Sequence, residues 1–434
     1  MDADLSKRPR LSGAAVFFCV FLPFALGHYL SQLLRNVNAV LAPTLMGALG
    51  LTPGQLGLLT SAFFFSFALV QLPVGIALDR YGPRKVQLAL MTFGAVGVLL
   101  FAHGQSFGQL LLARALMGFG FGGCFMSAVK AVSTWVSPRR LPSVQGYLMA
   151  VGGLGAASST MPVRRALEFT DWRGLFVVLA GLTACCGLLI RLLGPPAATP
   201  ASAKPATLKS ILDVYRHPAF RTATSLVLVP HMIFFGIQGL WIGRWLSDVA
   251  RFPDAAVAYL LYMGMAAIIF GSIAVGMITE WAGRRGIAPL DVAAVGVTLF
   301  VLVQAAIALN FRPSLQLLSV LFTLVGTITG IEFAIVAQSI PKELTGRAAT
   351  CLNLLIFVGA FLVQAGFGQL VGLWKPDFAH HYPAIAYQVG FGTLVLLQLP
   401  GLLCYFLRRR PVQCEVAKIT PKEDYETGTL RSPR

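Results

Sequence analysis

His28, Gln32 and Arg35 follow one another at i, i+4 and i+7, which puts them on one face of a helix. Ser31 and Asn38 widen that polar stripe through an otherwise apolar segment. An imidazole, an amide and a fixed cation in line can hold an anion by charge and hydrogen bonds. Lys130 offers a second cation, with Ser127 and Thr134 near the same face. Of the 17 acidic residues, only Glu332 sits well inside a long apolar run, beside Thr329. A lone carboxyl in that setting takes up a proton or pairs with a cation. His231 and Gln238, seven apart, can face the same space from a different segment, and Arg114 can orient proton traffic or brace a neighbouring helix. Two cations against one acid make the lining net positive and favour an anionic ligand. The plainer alternatives are side chains snorkelling to the membrane surface, satisfied packing residues and a structural salt bridge.

Catalysis finds little support in the same residues. No His, Asp, Glu or Cys cluster has metal-ligand or nucleophile spacing, and a single buried acid gives no carboxylate pair. No Gly-Lys-Ser/Thr loop is present to cradle a phosphate. The 7 cysteines are scattered and read as small core residues, so no cofactor, no metal and no enzymatic activity are expected.

The elements that must carry these residues are long and apolar. The chain has 434 residues, of which 56% are hydrophobic and 12% charged. A spanning helix needs about 20 mostly apolar residues. Twelve such segments are predicted, at 14–42, 54–79, 86–103, 107–136, 142–163, 173–194, 220–246, 255–280, 289–309, 314–340, 347–373 and 384–407. The first is too long for the apolar core of a cleavable signal peptide, and no such peptide is expected. The fold class is therefore an all-α membrane protein. Its parts are an inner N-terminus (1–13), a six-helix bundle (14–194), an inner linker (195–219), a second bundle (220–407) and an inner tail (408–434).

The net charge of +17 invites a nucleic-acid reading, but its distribution argues otherwise. With the N-terminus inside, inner loops and termini hold 24 of the 34 lysines and arginines, among them Lys7, Arg8, Arg10, Arg139, Arg140, Lys342, Arg347 and Arg408 to Arg410. The outer loops hold Arg164, Arg165, Arg173, Arg251, Arg312 and Lys375; Arg35, Arg114, Lys130 and Arg244 fall within or at the ends of spans. Such a bias is the positive-inside pattern for an even number of spans. It implies contact with anionic lipid, both termini in the cytoplasm and a plasma membrane, a bacterial inner membrane in particular. Nucleic acid is not an expected partner, and a monomer is.

The chain also repeats itself. Gly75, Asp79, Gly82 and Arg84 recur as Gly276, Glu280, Gly283 and Arg285, each 201 positions later. Trp135 to Leu141 is echoed by Gln338 to Leu344, 203 positions on. Two homologous halves follow, joined by the Pro/Ala/Ser/Lys stretch from Pro195 to Lys209. The second offset pairs Glu332 with Val129, beside Lys130, and so predicts Glu332 and Lys130 at similar depths in opposite halves.

Gly75-Ile76-Ala77-Leu78-Asp79-Arg80-Tyr81-Gly82-Pro83-Arg84-Lys85 resembles the signature G-x-L-x-D-R-x-G-R-[KR] of the major facilitator family, with Ala77 for the usual Leu and Pro83 for the first basic residue. Arg114, Gly118 and Gly120 resemble its second signature. The resemblance implies twelve helices in two pseudo-symmetric six-helix bundles, with a solute bound between them near the midplane. It also implies a conformational latch at the inner face, built from Gly75, Asp79, Arg80, Gly82, Arg84, Glu280, Gly283 and Arg285. Arg35 in the first segment, and Lys130 to Trp135, loosely resemble the anion:cation symporter branch, in which Arg stands where this chain has Lys130 and an acid where it has Leu34. Three readings stay open: secondary transport of a small, proton-coupled anion; proton-driven efflux of amphipathic compounds; and a membrane sensor that binds without transporting. Nothing in the sequence assigns Asp377, His380 and His381 beyond meeting water.

Overall fold

A computed structural model describes residues 13–136, 141–194, 208–311, 314–340, 345–377 and 381–416. Lys7, Arg8, Arg10, Arg139, Arg140, Arg312, Lys342 and His380 lie outside them, and the side chains of Arg408 to Arg410 are likewise not described.

The described chain is a bundle of apolar helices. The first, α1, runs from Gly13–Asn36, breaks at Val37 and resumes as Asn38–Leu49. Gly50, at φ 61°, ends it in the left-handed conformation that a glycine adopts without steric cost. Pro53–His103 is one helical run of 51 residues, far longer than a bilayer requires. It is two spans, α2 (53–81) and α3 (83–103), joined at Gly82, whose φ of 78° and ψ of 162° turn the chain back. Thr52 starts α2 with a reciprocal capping box to Gln55. Then come α4 (Phe107–Trp135), α5 (Leu141–Ser158), α6 (Trp172–Leu193) and α7. The last of these is built from Pro218–Thr224, Leu228–Gln238 and Trp241–Asp248, with a bend of 48° between the first two pieces. The set is completed by α8 (Asp254–Gly283), α9 (Pro289–Ala308), α10 (Leu315–Ser339), α11 (Thr345–Val371) and α12 (Ala384–Val416). Twelve spans result once Gly82 divides the 51-residue run and the pieces of α7 are taken as one.

Several boundaries differ from the sequence expectation for visible reasons. The segment expected at 142–163 ends at Ser158, and a short helix, Met161–Ala166, follows a sharp bend at Thr160. Within α10, Thr327–Gly330 tightens to a 3-10 turn. There Thr327 and Thr329 turn their hydroxyls back onto the carbonyls of Leu324 and Gly326. The linker holds the helix Leu208–Arg216, whose Tyr215 hydroxyl donates to the Cys351 carbonyl of α11 at 3.0 Å.

Packing within the first half depends on glycine. A Cβ on Gly120 of α4 would lie 2.2 Å from the Gly94 nitrogen of α3, so the two backbones touch directly. Between halves, α2 runs along α11. Phe67 and Phe64 meet Phe357 at 4.5 and 5.8 Å, and Phe65 meets Phe361 at 5.1 Å. The face carrying the linker helix is termed inner, and the opposite one outer. At the outer end the halves close on each other. The Trp241 indole donates to the Gln364 carbonyl at 3.0 Å, and a Cβ on Gly57 would sit 2.8 Å from that same oxygen.

Candidate functional site

The break in α1 sets the site. Arg114 is fully buried and donates to the carbonyl of Leu34 at 2.8 Å and that of Arg35 at 3.5 Å, with its guanidinium 5.2 Å from the Phe63 ring centre. Among the described residues it touches no acid and no histidine. Its donors brace backbone carbonyls next to the helix break at Val37, where a helical ladder is interrupted, which is the bracing alternative of the two roles expected of Arg114.

That brace positions Arg35. Its guanidinium is half-buried and points across to the other half, 5.1 Å from the centre of the Phe235 ring of α7. Among the described residues no carboxylate lies within 4 Å of it. An arginine at this depth without a counter-ion keeps its five donors available. His28 and Gln32, on the same helix, turn toward α4 and α5. His28 is buried 5.1 Å from Phe125, with its Nε2 against Gly152, and neither ring nitrogen has a partner. The Gln32 side-chain oxygen is likewise unpartnered.

In the second half, Glu332 and His231 meet. Glu332 is wholly buried, and its Oε2 lies 2.9 Å from His231 Nδ1, while Oε1 has no partner. Phe235 and Phe333 flank the imidazole at 5.3 and 6.0 Å. The 3-10 turn just before Ile331 sets the rotation of α10 that aims Glu332 at α7. A carboxyl and an imidazole in contact, walled by aromatic rings, can hold one proton between them. Gln238 does not join this pair; its amide points to the Met265 sulfur of α8 at 3.8 Å.

Lys130 is not at the depth of Glu332, contrary to the symmetry argument. Its ammonium pairs with Asp79 of α2 near the inner end, where both are partly exposed. A long flexible stem lets the charge reach the water-facing acid. Among the described residues, Arg35 is then the deep cation of the site without an ion pair, where two cations were expected.

The expected latch also differs. Asp79 pairs within its own half, Arg84 donates to the Arg191 carbonyl of α6, and Arg80 stacks on Tyr81 at 5.2 Å. In the second half Glu280 faces Arg284 at 3.7 Å, both largely exposed, and Arg285 lies 3.9 Å over Trp281. Gly75 and Gly283 have open space where a side chain would stand. No ion pair crosses between halves at the inner face among the described residues. A cleft of about 800 Å³ separates α8 and α10 there, lined by Gly276, Thr279, Glu280, Gly283, Thr327 and Gln338. At the equivalent place in the first half, Asp79 and Lys130 pair.

Sequence reasoning missed one cluster. At the outer end of α7, Arg244 holds Asp248 at 2.7 Å, and Asp248 also accepts from the Tyr387 hydroxyl of α12 at 2.6 Å. His381 Nδ1 lies 3.2 Å from the same carboxylate. The expected span ended at residue 246, which left Asp248 in a loop. The i, i+4 spacing of Arg244 and Asp248 was the available signal.

Comparison with known proteins agrees with this architecture. A bacterial homologue of the human lysosomal transporter Spinster, crystallised inward-facing and unoccupied, superposes with a TM-score of 0.75 at 16% identity, over 92% of this chain and 98% of that one. The nucleoside transporter NupG gives 0.67 at 13% identity, over 88% and 98%. The probable L-galactonate transporter of Escherichia coli is 23% identical over 87% of this chain and 86% of its own length. The probable sulfoacetate transporter SauU of Cupriavidus necator is 31% identical, but the match spans only 36% of each chain. The hexuronate transporter of Bacillus subtilis is 30% identical over 37% of this chain and 38% of its own. The sequence profile of the Major Facilitator Superfamily matches residues 17–364, four-fifths of the chain, and the twelve-helix fold in two halves fits it. The chain belongs to the Major Facilitator Superfamily.

Proposed function

We propose that this protein is a secondary transporter that carries a small organic anion together with a proton by alternating access. The observation that carries the reading is Arg35: a guanidinium between the two halves, without a counter-ion, oriented by the buried Arg114. A carboxylate or sulfonate supplies the missing charge and matches the guanidinium fork. The relatives support this class, since those named above are described as carriers of galactonate, sulfoacetate and hexuronate. His28 and Gln32 contribute hydrogen bonds from the first half. The His231–Glu332 pair takes the proton. Lys130, with Asp79, Arg80, Arg84, Glu280 and Arg285, acts at the inner face, where these charges release or re-form contacts as the halves rock.

The inner face is the cytoplasmic one in this reading, with both termini there, because the basic residues concentrate on it. The protein works as a monomer in a bacterial inner membrane, with anionic lipid against its basic inner loops. The test is uptake of labelled galactonate, a hexuronate and sulfoacetate into vesicles holding the purified protein, under an imposed proton gradient. Uptake of at least one acid, abolished by Arg35→Ala with insertion intact, is the expected result. Full uptake by that variant ends the anion-site proposal.

A further inference from the structure

Two amides at the outer seam, Asn38 and Gln364, have no role in the reading above. Both are fully buried, and Asn38 Oδ1 and both amide atoms of Gln364 lack a partner among the described residues. Their neighbours place them. Asn38, about one turn outward of Arg35 on α1, donates through Nδ2 to the Thr60 hydroxyl of α2 at 3.1 Å. Asn36 Oδ1 lies 3.4 Å from where a Cβ on Gly239 of α7 would stand, so α1 sits between α2 and α7 at this level. On α11, Phe357 and Phe361 face α2, while Ala360 and Val363 pack on Gly236 of α7. Gln364 falls between these two rows, at the height where its carbonyl takes the Trp241 indole. Its amide therefore looks into the space that α1, α2, α7 and α11 enclose, just outward of Arg35. Gln32 Oε1 and both His28 nitrogens stand unpartnered on the inner side of Arg35.

We infer that the solute is a polyhydroxylated acid, whose carboxylate meets Arg35 and whose hydroxyls bind Asn38 and Gln364, so that these two amides set the specificity. The inference rests on the reading of Arg35 as the anion site. The unpartnered oxygens of Gln32, Asn38 and Gln364 only accept, so they need O–H or N–H donors. A carboxylate or sulfonate also only accepts and supplies none. An ammonium donates, but its charge opposes that of Arg35. A hydroxyl donates to the amide oxygens and accepts from the Gln364 NH2. A buried polar atom left without a partner is costly, so a site built this way rejects an acid that lacks the hydroxyls. Asn38 belongs to the first half and Gln364 to the second, so hydroxyls bound to both also link the halves while the outer seam is shut.

The test compares galactonate and a hexuronate with hexanoate, an acid of the same chain length without hydroxyls, in equilibrium binding to the purified protein. Hexanoate binding is counted as the part lost in Arg35→Gln. The parent is expected to bind the better sugar acid at least about 100-fold more tightly than hexanoate. Gln364→Met, close in shape and without the amide, is expected to weaken that binding about tenfold and to leave hexanoate unchanged. Without ligand, Gln364→Met should melt at or above the parent, because it removes buried atoms that lack partners, whereas loss of a structural bond lowers the melting temperature. Hexanoate bound as tightly as the sugar acids, all through Arg35, overturns the inference and leaves the anion site standing. Sugar acids that fail to bind while sulfoacetate binds through Arg35 do the same. Sugar-acid affinity unchanged in Gln364→Met, or a lower melting temperature for that variant, also overturns it.

Discussion

Gly57→Val should push the transporter out of its outer-closed state without weakening the fold. A Cβ at this position meets the Gln364 carbonyl at 2.8 Å, the Trp241 ring at 3.1 Å and the Gly368 Cα at 3.4 Å. The first two contacts are tighter than a packed interface tolerates, and the valine methyls add to them. Overpacking of this kind costs about 1–3 kcal/mol. The cost falls on one conformation only, because α2 and α11 touch at this point only while the outer seal is made. Helix propensity changes by less than about 1 kcal/mol, and equally in both conformations. The difference alone shifts the equilibrium, by about 5–150-fold toward outer-open. Spin labels at Ala48→Cys and Leu373→Cys, exposed at the outer ends of α1 and α11, report the seal by their separation. A long-distance population that grows at least about fivefold, with thermal unfolding unchanged, is expected. An unaltered distance distribution in a well-folded variant refutes the claim that backbone contact at Gly57 closes the outer face.

Glu332→Gln keeps the hydrogen bond to His231 but carries no proton; accumulation driven by a proton gradient should vanish while solute exchange at equal pH persists. Proton-driven accumulation that survives leaves Glu332 a structural residue. Gly120→Leu must displace α3, since its Cβ would lie 2.2 Å from the Gly94 nitrogen, and should lower stability by about 1–3 kcal/mol in thermal unfolding. Gly181→Leu, with open space at its Cβ, is the control expected to leave stability unchanged. Asp79→Asn and Lys130→Met should couple by less than about 1 kcal/mol in a double-mutant unfolding cycle, because the pair is partly exposed. A coupling several-fold larger contradicts the assignment of the pair to the inner surface.

Twelve spans were legible because a bilayer demands long apolar runs, and hydropathy records that demand directly. Arg35 was legible for the same reason, as an ion in an apolar segment signals a partner or a cavity. Partners were harder. The repeat offset put Lys130 level with Glu332, yet its flexible stem reaches Asp79, and stem direction leaves no trace in spacing. His231 and Glu332 were each visible, but 101 positions separate them, and their contact is made by the packing of α7 on α10, which no local spacing records. Asp248 was hidden by a boundary placed two residues short. Tyr387, 139 positions away, gave no sign that it closes the same carboxylate. Contacts set by helix rotation and by breaks such as Val37 depend on tertiary packing, to which periodicity along one helix is blind.

The central claim is that Arg35 meets a solute anion. It is tested most directly by equilibrium binding of galactonate, a hexuronate and sulfoacetate to the purified protein and to Arg35→Gln. At about 4 Å and an effective dielectric near 20, one charge pair contributes about 4 kcal/mol, which sets an upper bound of about 1000-fold. Loss of a charge-assisted bond alone corresponds to about 30-fold. A 30- to 1000-fold rise in Kd for one of these acids, in a variant that melts with the parent, is the predicted result. A Kd that does not move in that variant contradicts the account.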